Sequence, residues 1–370
     1  MTDRKLVILA IAAVIMTGWA VLQSRLADRA GRRPTVLRAP LVQGLDPDAI
    51  AQITITSQDP EQTVTLSRAN SGFRVDQKDR YPADIRAVNR LLSHCLNIRL
   101  TEYITDNPAN HADLSVTEQT ARYTVRFYDS DGQEITGVII SPTQSDPEGA
   151  YARLTTDDAT YFIQSPPFLQ TRPISYVDTT LLQVDRNAIS SVMVRGPDGD
   201  YVLLASDNEP GIYLDPMPDG MQFEGTAYRT VFGALSTLRF EDVTAARNAP
   251  DGLEFNHSYV CRLEDTTVYT IMLAQDDGTF YATVTADFMD TAAVQVGADD
   301  SPETLQQKEA KLLAMDAAEM FARRHDGWVY TISSAKFEDL TQPMEALLEE
   351  KPEPEPQEPE QTEPIAEDTE

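Results

Sequence analysis

The chain has 370 residues, 41% of them hydrophobic and 8% aromatic, and its 30 basic and 59 acidic side chains give a formal net charge of −29. This composition excludes a wholly disordered chain and a protein with many membrane spans. It also argues against nucleic acid as a partner, because phosphate binding needs a basic surface. Two cysteines are too few for a disulfide-rich scaffold or a cysteine-only zinc site.

An uncharged apolar stretch follows a short N-terminal tail over 1–5. Leu6 to Leu22 is a run of 17 residues without a charge. As a helix it reaches roughly 25 Å, which is just enough for a thin or locally adapted bilayer. Arg4 and Lys5 precede it, and Trp19 lies near its far end, where an indole favours the membrane interface. The sequence therefore predicts a single-pass transmembrane anchor over 6–22 that binds membrane lipid.

Cleavage and orientation of this segment are separate questions. Gly18 and Ala20 have the spacing that a signal peptidase reads, so a cleaved signal peptide stays an alternative, although the apolar run continues to Leu22. The basic linker over 23–40 carries five arginines, and a literal positive-inside count would place the body in the cytoplasm. The short leader and the ability of long domains to translocate favour the opposite side. We expect a single-pass protein of the cytoplasmic membrane with its bulk on the extracytoplasmic (periplasmic) side.

The body of the chain is predicted to be two related units, over 41–180 and 181–348. The strand Ile53–Thr56 follows Leu45–Ile50, and 139 residues later Val192–Val194 follows the similar Val184–Ile189. Alternating apolar residues predict strands in both halves. Apolar residues at helical spacing then predict one main helix in each; these are Ile85, Val88, Leu91, Leu92 and Cys95 in the first half, and Tyr228, Val231, Phe232 and Leu235 in the second.

Turn signals favour antiparallel pairing of these strands. Asp131-Gly132, Asp198-Gly199 and Asp277-Gly278 each stand between alternating runs, as hairpins require. Long helices alternating with single strands are absent from the pattern, which argues against a doubly wound nucleotide-binding sheet. The predicted fold class is α+β, with two tandem units of mostly antiparallel sheet.

Two further segments complete the predicted organisation. The second unit contains a helical insertion over about 286–324, where Ser301 and Pro302 form a helix start signal. Residues 349–370 hold ten acids and five prolines, so we expect a disordered acidic tail. Residues 39–348 still carry a net charge of −25, which would be repelled by anionic lipid and by polyanions.

Metal and thiol chemistry find little support in the sequence. The histidines, which are His94, His111, His257 and His325, include no His-x-x-x-His pair, and there is no Cys-x-x-Cys. Cys95 and Cys261 fall at apolar positions and are interpreted as small buried hydrophobic residues. A disulfide between them stays an alternative in an oxidising compartment.

Linear catalytic motifs are equally weak. Ser333 and Lys336 have the Ser-x-x-Lys spacing of penicillin-recognising enzymes, but the companion motifs are missing and Ser333 suits a helix N-cap. Asp129 to Gly132 lacks the later ligands of a calcium-binding loop and is interpreted as a turn. We predict no catalytic, cofactor-binding or metal-ligating residue, no cofactor, and a non-enzymatic protein.

Several segments together resemble a known family. They are Leu45–Ile50, Phe73-Arg74-Val75, the helix start Tyr81-Pro82-Ala83-Asp84, and Thr105-Asp106-Asn107-Pro108 before a Tyr/Val strand. Over about 40–345 the chain is similar to the bacterial domain-of-unknown-function 4340 (DUF4340) family. The second half departs from the pattern, with Ala246–Pro250 in place of the Asp-Asn-Pro turn. The resemblance implies a membrane-anchored extracytoplasmic protein that accompanies ABC-type exporter components, including those related to gliding motility, and it implies no catalytic residue.

The leading functional expectation is therefore an accessory or scaffold subunit of an ABC-type transporter complex, with permease or auxiliary subunits as partners. Sheet edges and the loop Ser165–Leu169 are the predicted docking surfaces. The alternative is a membrane-tethered module for a ligand or a polysaccharide, in which aromatic rings stack on sugars; the candidate rings are Tyr151, Tyr161, Tyr201, Tyr213 and Tyr281. A hydrolase that uses Ser333 and Lys336 is the third hypothesis.

Overall fold

The computed structural model describes residues 39–59, 62–70, 72–206, 211–295, 297 and 300–352. The N-terminal tail, the anchor predicted over 6–22, nearly all of the basic linker and most of the predicted acidic tail lie outside the described residues. The chain divides into two compact units, Met1–Asp178 and Thr179–Glu370. No helix in the described ranges is both long and apolar enough to cross a membrane.

The first unit is built on one antiparallel sheet. Its strands run in the order β4-β3-β2-β1-β6-β7-β9-β10-β5, and β8 pairs only with β9. The strands are β1 (Gln52–Ser57), β2 (Thr63–Ala69), β3 (Gly72–Val75), β4 (Tyr81–Pro82), β5 (Glu102–Thr105), β6 (Tyr123–Tyr128), β7 (Glu134–Ile140), β8 (Gln144–Ser145), β9 (Glu148–Leu154) and β10 (Thr160–Ile163).

Alternating side chains of these strands form the core of the first unit. Ile53 in β1 is fully buried and lies opposite Leu66 in β2 and Phe127 in β6, and Leu66 lies opposite Val75 in β3. These four buried residues form a continuous apolar row across four strands. Cross-strand apolar pairs of this kind stabilise a sheet and fix its register, because a shift of one residue would expose the whole row.

One helix, α1 (Ile85–Leu96), packs on this sheet. Asp84 is its N-cap, and its carboxylate accepts a hydrogen bond of 2.9 Å from the backbone N–H of Arg86. Val88, Leu91 and Cys95 face the core as predicted, whereas the predicted core residue Ile85 is 55% exposed. Ile85 is the first helical residue and lies beyond the edge of the apolar stripe.

In the part of the second unit that the structure describes, the strands form one large sheet and two short strand pairs, all antiparallel. The large sheet has the order β14-β13-β12-β18-β19-β20-β21-β17, and β11 pairs with β16 and β15 with β22. The strands are β11 (Thr180–Leu182), β12 (Ile189–Gly196), β13 (Gly199–Ala205), β14 (Ile212–Asp215), β15 (Met221–Phe223), β16 (Leu238–Arg239), β17 (Asp242–Ala245), β18 (His257–Leu263), β19 (Thr267–Asp276), β20 (Thr279–Phe288), β21 (Trp328–Ile332) and β22 (Leu348–Glu350).

Within the described residues, the second unit has three helices, namely α2 (Ala227–Phe232), α3 (Pro302–His325) and α4 (Ser334–Thr341). The predicted N-cap of the insertion helix is confirmed, because Ser301 Oγ accepts a hydrogen bond from Thr304 N and Pro302 is the first helical residue. The predicted main helix is only six residues long and ends where Gly233 follows. The longest helix of this unit is therefore α3 and not the counterpart of α1.

The predicted α+β fold with mostly antiparallel sheets is confirmed. Each predicted Asp-Gly turn connects two neighbouring antiparallel strands, β6 to β7, β12 to β13 and β19 to β20. Asp277 and Gly278 have φ angles of 44° and 75°. A two-residue hairpin turn with positive φ at both positions matches the twist of the flanking strands.

Candidate functional site

The four histidines lie in separate environments. His94 is exposed on α1, and the Nε2–H group of His111 donates to the backbone oxygen of Asp158 at 2.9 Å. Burial lowers the pKa of His257, whose ring packs edge-on against Phe337. Within the described ranges, no three His, Cys, Asp or Glu side chains come together as a set that could hold a metal ion.

His325 is the most strongly perturbed histidine. It ends α3, it is 4% exposed, and its Nδ1 atom lies 2.6 Å from the hydroxyl of Tyr330. Burial, with a smaller contribution from the neighbouring charge of Arg324, lowers the pKa of His325 to about 4. The imidazole is therefore neutral in the folded protein at neutral pH.

Cys95 and Cys261 are both free and fully buried. Burial raises the pKa of each thiol to about 12. A thiol that stays protonated at neutral pH is a poor nucleophile and a poor metal ligand. The two residues therefore have the packing role of small hydrophobic side chains, as predicted.

Ser333 and Lys336 lie at the start of α4, where the hydroxyl caps the helix. Ser333 Oγ accepts a hydrogen bond of 3.3 Å from the backbone N–H of Lys336. The ammonium group of Lys336 instead donates to the backbone oxygen of Ala234 at 3.3 Å and pairs with Asp339 at 3.1 Å. The hydroxyl and the ammonium group are thus held by different partners, and the arrangement is that of an N-cap.

The cap makes a direct prediction for stability. We expect Ser333→Ala to lower the free energy of unfolding by about 1 kcal/mol, because one helix N–H loses its partner. Ser334→Ala is the matched control and should change it by less than about 0.5 kcal/mol, since Ser334 is exposed and does not cap. Urea titration in a Trp19→Phe background would report the second unit through Trp328. Equal effects of the two substitutions would contradict the capping role.

The Asp129–Gly132 segment forms the turn between β6 and β7. Asp129 Oδ1 accepts hydrogen bonds of 2.9 Å from the backbone N–H groups of Asp131 and Gln133. Gly132 has a φ of 75°, which glycine adopts without strain. The carboxylate is used to close the turn, as an Asx turn does.

The tyrosines considered for sugar stacking are divided between the two units. In the first unit, Tyr161 packs edge-on against Tyr103, with 5.9 Å between the ring centroids. Tyr151 packs edge-on against Phe162, with 5.7 Å between the ring centroids. These contacts turn the edge of one ring to the face of its neighbour. Both rings are therefore used in packing within the sheet.

In the second unit, Tyr201 is buried and its hydroxyl donates to the backbone oxygen of Gln342 at 2.7 Å. Tyr281 is half-buried within β20. Tyr213 on the edge strand β14 is 46% exposed and is the most open ring of the five. The candidate rings thus do not combine into one stacking surface in either unit.

The clearest concave site of the first unit lies between α1 and the segment that follows β10. The backbone N–H of Asp84 donates to the oxygen of Tyr176 at 2.7 Å and thereby ties the start of α1 to this segment. The resulting pocket has a volume of about 360 Å³. Its lining residues are Ala87, Arg90, Leu91 and His94 from α1, and Phe168, Leu169, Gln170, Arg172, Ser175 and Tyr176 from the returning segment.

This pocket, which we call the α1 pocket, combines an apolar floor with cations at its rim. Leu91, Leu169 and Tyr176 are 3%, 2% and 3% exposed, whereas Arg90 and Arg172 are exposed. The Tyr176 hydroxyl donates to the backbone oxygen of Gln170 at 3.0 Å, and burial raises its pKa well above the usual value. The floor is therefore neutral and already hydrogen-bonded.

The predicted docking loop Ser165–Leu169 forms one wall of this pocket. Leu169 is buried against the unit, but Phe168 is 63% exposed, with the guanidinium of Arg122 5.9 Å from its ring centroid. Sequence reasoning identified this loop but missed Arg90 and Arg172. Arg90 could have been recognised from the sequence, because Arg86, Arg90 and His94 recur every four residues and therefore form a basic row along one side of the helix.

The second unit has a pocket of about 400 Å³ beside α2. It also has cations, but these are engaged within the unit. Arg186 donates to the backbone oxygen of Arg229, and Lys336 pairs with Asp339. This pocket therefore offers less unused positive charge than the α1 pocket.

The fold and the α1 pocket together define a class of protein. It is a sheet-rich α+β protein of two units, with a cationic pocket beside the helix α1. Residues 74–255 match the family model described as a domain of unknown function, DUF4340. This match confirms the resemblance to the DUF4340 family that the sequence indicates. No curated protein and no solved structure shows significant similarity to the chain.

Proposed function

We propose that this protein is a non-enzymatic, single-pass membrane protein that acts as an accessory or scaffold subunit of an ABC-type transporter complex. Its N-terminal stretch Leu6–Leu22 would anchor it in the cytoplasmic membrane, with the bulk on the extracytoplasmic side. The anchor part of the proposal depends on the uncharged apolar run and its flanking Arg4, Lys5 and Trp19. The transporter part depends on the resemblance to membrane-anchored family members.

The observation that carries the scaffold role is the outer face of α3. This helix is 24 residues long and packs through its inner face, where Ala318 and His325 are buried. Five large apolar side chains are nevertheless exposed along this helix, interspersed with charged ones; they are Leu305, Leu312, Leu313, Met315 and Met320, and each is at least 41% exposed. Several large apolar side chains exposed on one helix are typical of an interaction surface, and we assign this surface to contact with a transporter permease subunit.

We also infer that the two units are tandem copies of one ancestral unit. Their strand orders support this, since β3-β2-β1-β6-β7-β9-β10-β5 has the same connectivity as β14-β13-β12-β18-β19-β20-β21-β17. Ile53 and Val192, 139 residues apart, occupy matching strands and are both fully buried. In this interpretation α3 and its flanking segments are an addition to the second copy.

The proposal has a two-part test on the full-length chain. If the body lies outside the cytoplasm, a phosphatase reporter fused after residue 348 should be active. A fluorescent protein fused at the same position should then show no fluorescence. Affinity capture with the anchor intact should retrieve permease subunits, and Leu312→Glu with Leu313→Glu should reduce the yield by about tenfold, because charges at a buried contact each cost over 1 kcal/mol. Gln306→Glu with Gln307→Glu on the same helix is the matched control.

A freely soluble cytosolic product would contradict the anchor. Capture that is unchanged by the leucine substitutions, or equally reduced by the glutamine substitutions, would contradict the role of the α3 surface. The two parts can fail separately, because the fusion reports the side of the membrane and the capture reports the partner.

A further inference from the structure

The lining of the α1 pocket contrasts with the charge of the chain. The protein has 59 acidic and 30 basic side chains, yet Arg90, His94 and Arg172 line the α1 pocket without a single Asp or Glu. A surface that is acidic overall repels anions, but at physiological salt this repulsion falls off over a distance of about 8–10 Å. Short-range hydrogen bonds inside the pocket therefore decide what it binds.

Both guanidinium groups are available to a ligand. In the part of the chain that the structure describes, neither Arg90 nor Arg172 forms an ion pair, whereas Arg126, Arg195 and Arg323 all do. A guanidinium group binds an oxyanion through two parallel N–H donors, and such charge-assisted hydrogen bonds are stronger than neutral ones. Two such groups at one rim suit a carboxylate or a phosphate.

The rest of the pocket suits an apolar body. Leu91 and Leu169 are buried in its floor, and the 63% exposed Phe168 also lines the pocket. Its volume of about 360 Å³ falls in the range of pockets that hold small molecules. Apolar walls with a few convergent polar groups are typical of ligand sites, in which the charged groups set orientation and specificity.

The pocket is also held in place before any ligand arrives. The hydrogen bond from Asp84 N to Tyr176 O joins its two walls, and Tyr176 is fixed in turn by its bond to Gln170. Rigid walls lower the entropy that binding would otherwise cost. The pocket beside α2 lacks the same unused charge, because Asp339 pairs with Lys336 there.

We propose that the α1 pocket binds a small amphiphilic anion, with an oxyanion head held by Arg90 and Arg172 and an apolar or aromatic body against Phe168 and Leu169. This ligand site goes beyond the scaffold role and does not depend on the anchor or on a transporter partner.

Isothermal titration calorimetry on the full-length chain in lipid nanodiscs tests this proposal, with empty nanodiscs subtracted. The probes are 3-phenylpropionate, phenyl phosphate, the neutral 3-phenylpropionamide and inorganic phosphate. We expect one or both charged aromatic probes to bind with a dissociation constant of about 1 mM or tighter. The amide should bind at least about tenfold more weakly, because it cannot form charge-assisted hydrogen bonds. Inorganic phosphate lacks the apolar body and should also bind more weakly, and the stronger of the two aromatic probes identifies the head group.

Substitutions locate the binding. Arg90→Gln and Arg172→Gln should each weaken binding about tenfold or more. Arg86→Gln is the matched control, since Arg86 is exposed on the same helix but does not line the pocket. All three residues are exposed, so circular dichroism should show folded variants.

Three results would overturn the proposal. The first is no saturable binding of either charged aromatic probe up to about 10 mM. The second is equal affinity for the amide and the acid, and the third is an equal loss of affinity in Arg86→Gln. None of these results bears on the topology of the chain or on partner capture, so the scaffold proposal is tested independently.

Discussion

Phe127→Ala is expected to destabilise the first unit by about 3–5 kcal/mol, the usual cost of truncating a buried phenylalanine. The ring is fully buried in β6, in the middle of the sheet, and lies opposite Ile53 in β1. Removal of the ring reduces the buried apolar area of the apolar row. It also leaves a cavity that the surrounding strands can only partly fill. Native-state hydrogen exchange of β1 and β6 would report the loss as a rise in exchange rate of about a hundredfold or more.

Phe168→Ala is the matched control for this experiment. It makes the same chemical change in the same unit, but at a side chain that is 63% exposed. Its effect on exchange in β1 and β6 should correspond to less than about 1 kcal/mol. If the two substitutions were equally mild, the apolar row would not be the core of this unit.

The apolar row could be predicted from the sequence because it is a local pattern. A period of two puts every second residue on one face, so Ile53, Leu66 and Val75 are recognisable without a structure. Asp-Gly turns then define which strands are neighbours. The α+β class follows from these two signals together.

No local sequence pattern predicted which strands that are distant in the chain pair with each other. β5 follows α1 in the sequence but pairs with β10 at the far edge of the sheet, across Thr105 and Thr160. β17 pairs with β21 in the same way. The partners of β5 and β17 lie more than fifty residues later in the chain. The order of strands in a sheet depends on packing that local propensity does not encode.

The sequence predicted on which face of the sheet a side chain lies, but not which residue lies opposite it on the neighbouring strand. If the tyrosines that open the two strands, Tyr123 and Tyr259, are matched in the sequence, Cys261 falls at Val125. In the structure, however, Cys261 lies opposite Val192 while Val125 lies opposite Ile55. Under the proposed tandem origin, in which Ile53 matches Val192, Cys261 would instead correspond to Phe127, two residues further along. A shift of two residues keeps the side chain on the same face of the sheet, so both alignments predict a buried Cys261, and this burial is confirmed.

The α1 pocket could be predicted only in part. Phe168 belongs to the apolar loop that the sequence predicts as a docking surface, and Arg90 belongs to a helical repeat of basic residues. Arg172 is 82 residues from Arg90 in the chain, and only the return of the segment after β10 brings it to the helix. A site assembled from two distant segments needs the tertiary structure, because neither segment alone has a functional motif.

Acidification should destabilise the second unit through His325. Its pKa is lowered from 6.5 to about 4 in the folded protein. Above pH 6.5 the imidazole is neutral in both states and contributes no pH dependence. Between pH 6.5 and 4 the unfolded chain binds a proton that the folded chain does not, so the free energy of unfolding falls as the pH falls. Below pH 4 the folded state also binds the proton and this loss levels off.

The size of this effect follows from the shift. At pH 5 the loss is about 2 kcal/mol relative to pH 7, and its limit is about 3 kcal/mol. A position at the end of α3 would by itself favour the charged imidazolium through the helix dipole, typically by less than 1 kcal/mol. Burial against Phe321 and Tyr330 outweighs that contribution.

His325→Asn removes the titration and should flatten the pH dependence of unfolding between pH 7 and 5. The variant will be less stable at pH 7, because the ring of His325 packs against Phe321 at 4.4 Å between centroids. The informative quantity is therefore the difference in stability between wild type and variant, which should shrink by about 2 kcal/mol as the pH falls to 5. Urea titrations followed by Trp328 in a Trp19→Phe background measure it. His94→Asn is the control, since His94 is exposed on α1. A difference that stays constant with pH for His325→Asn would mean that this histidine is not buried in its neutral form.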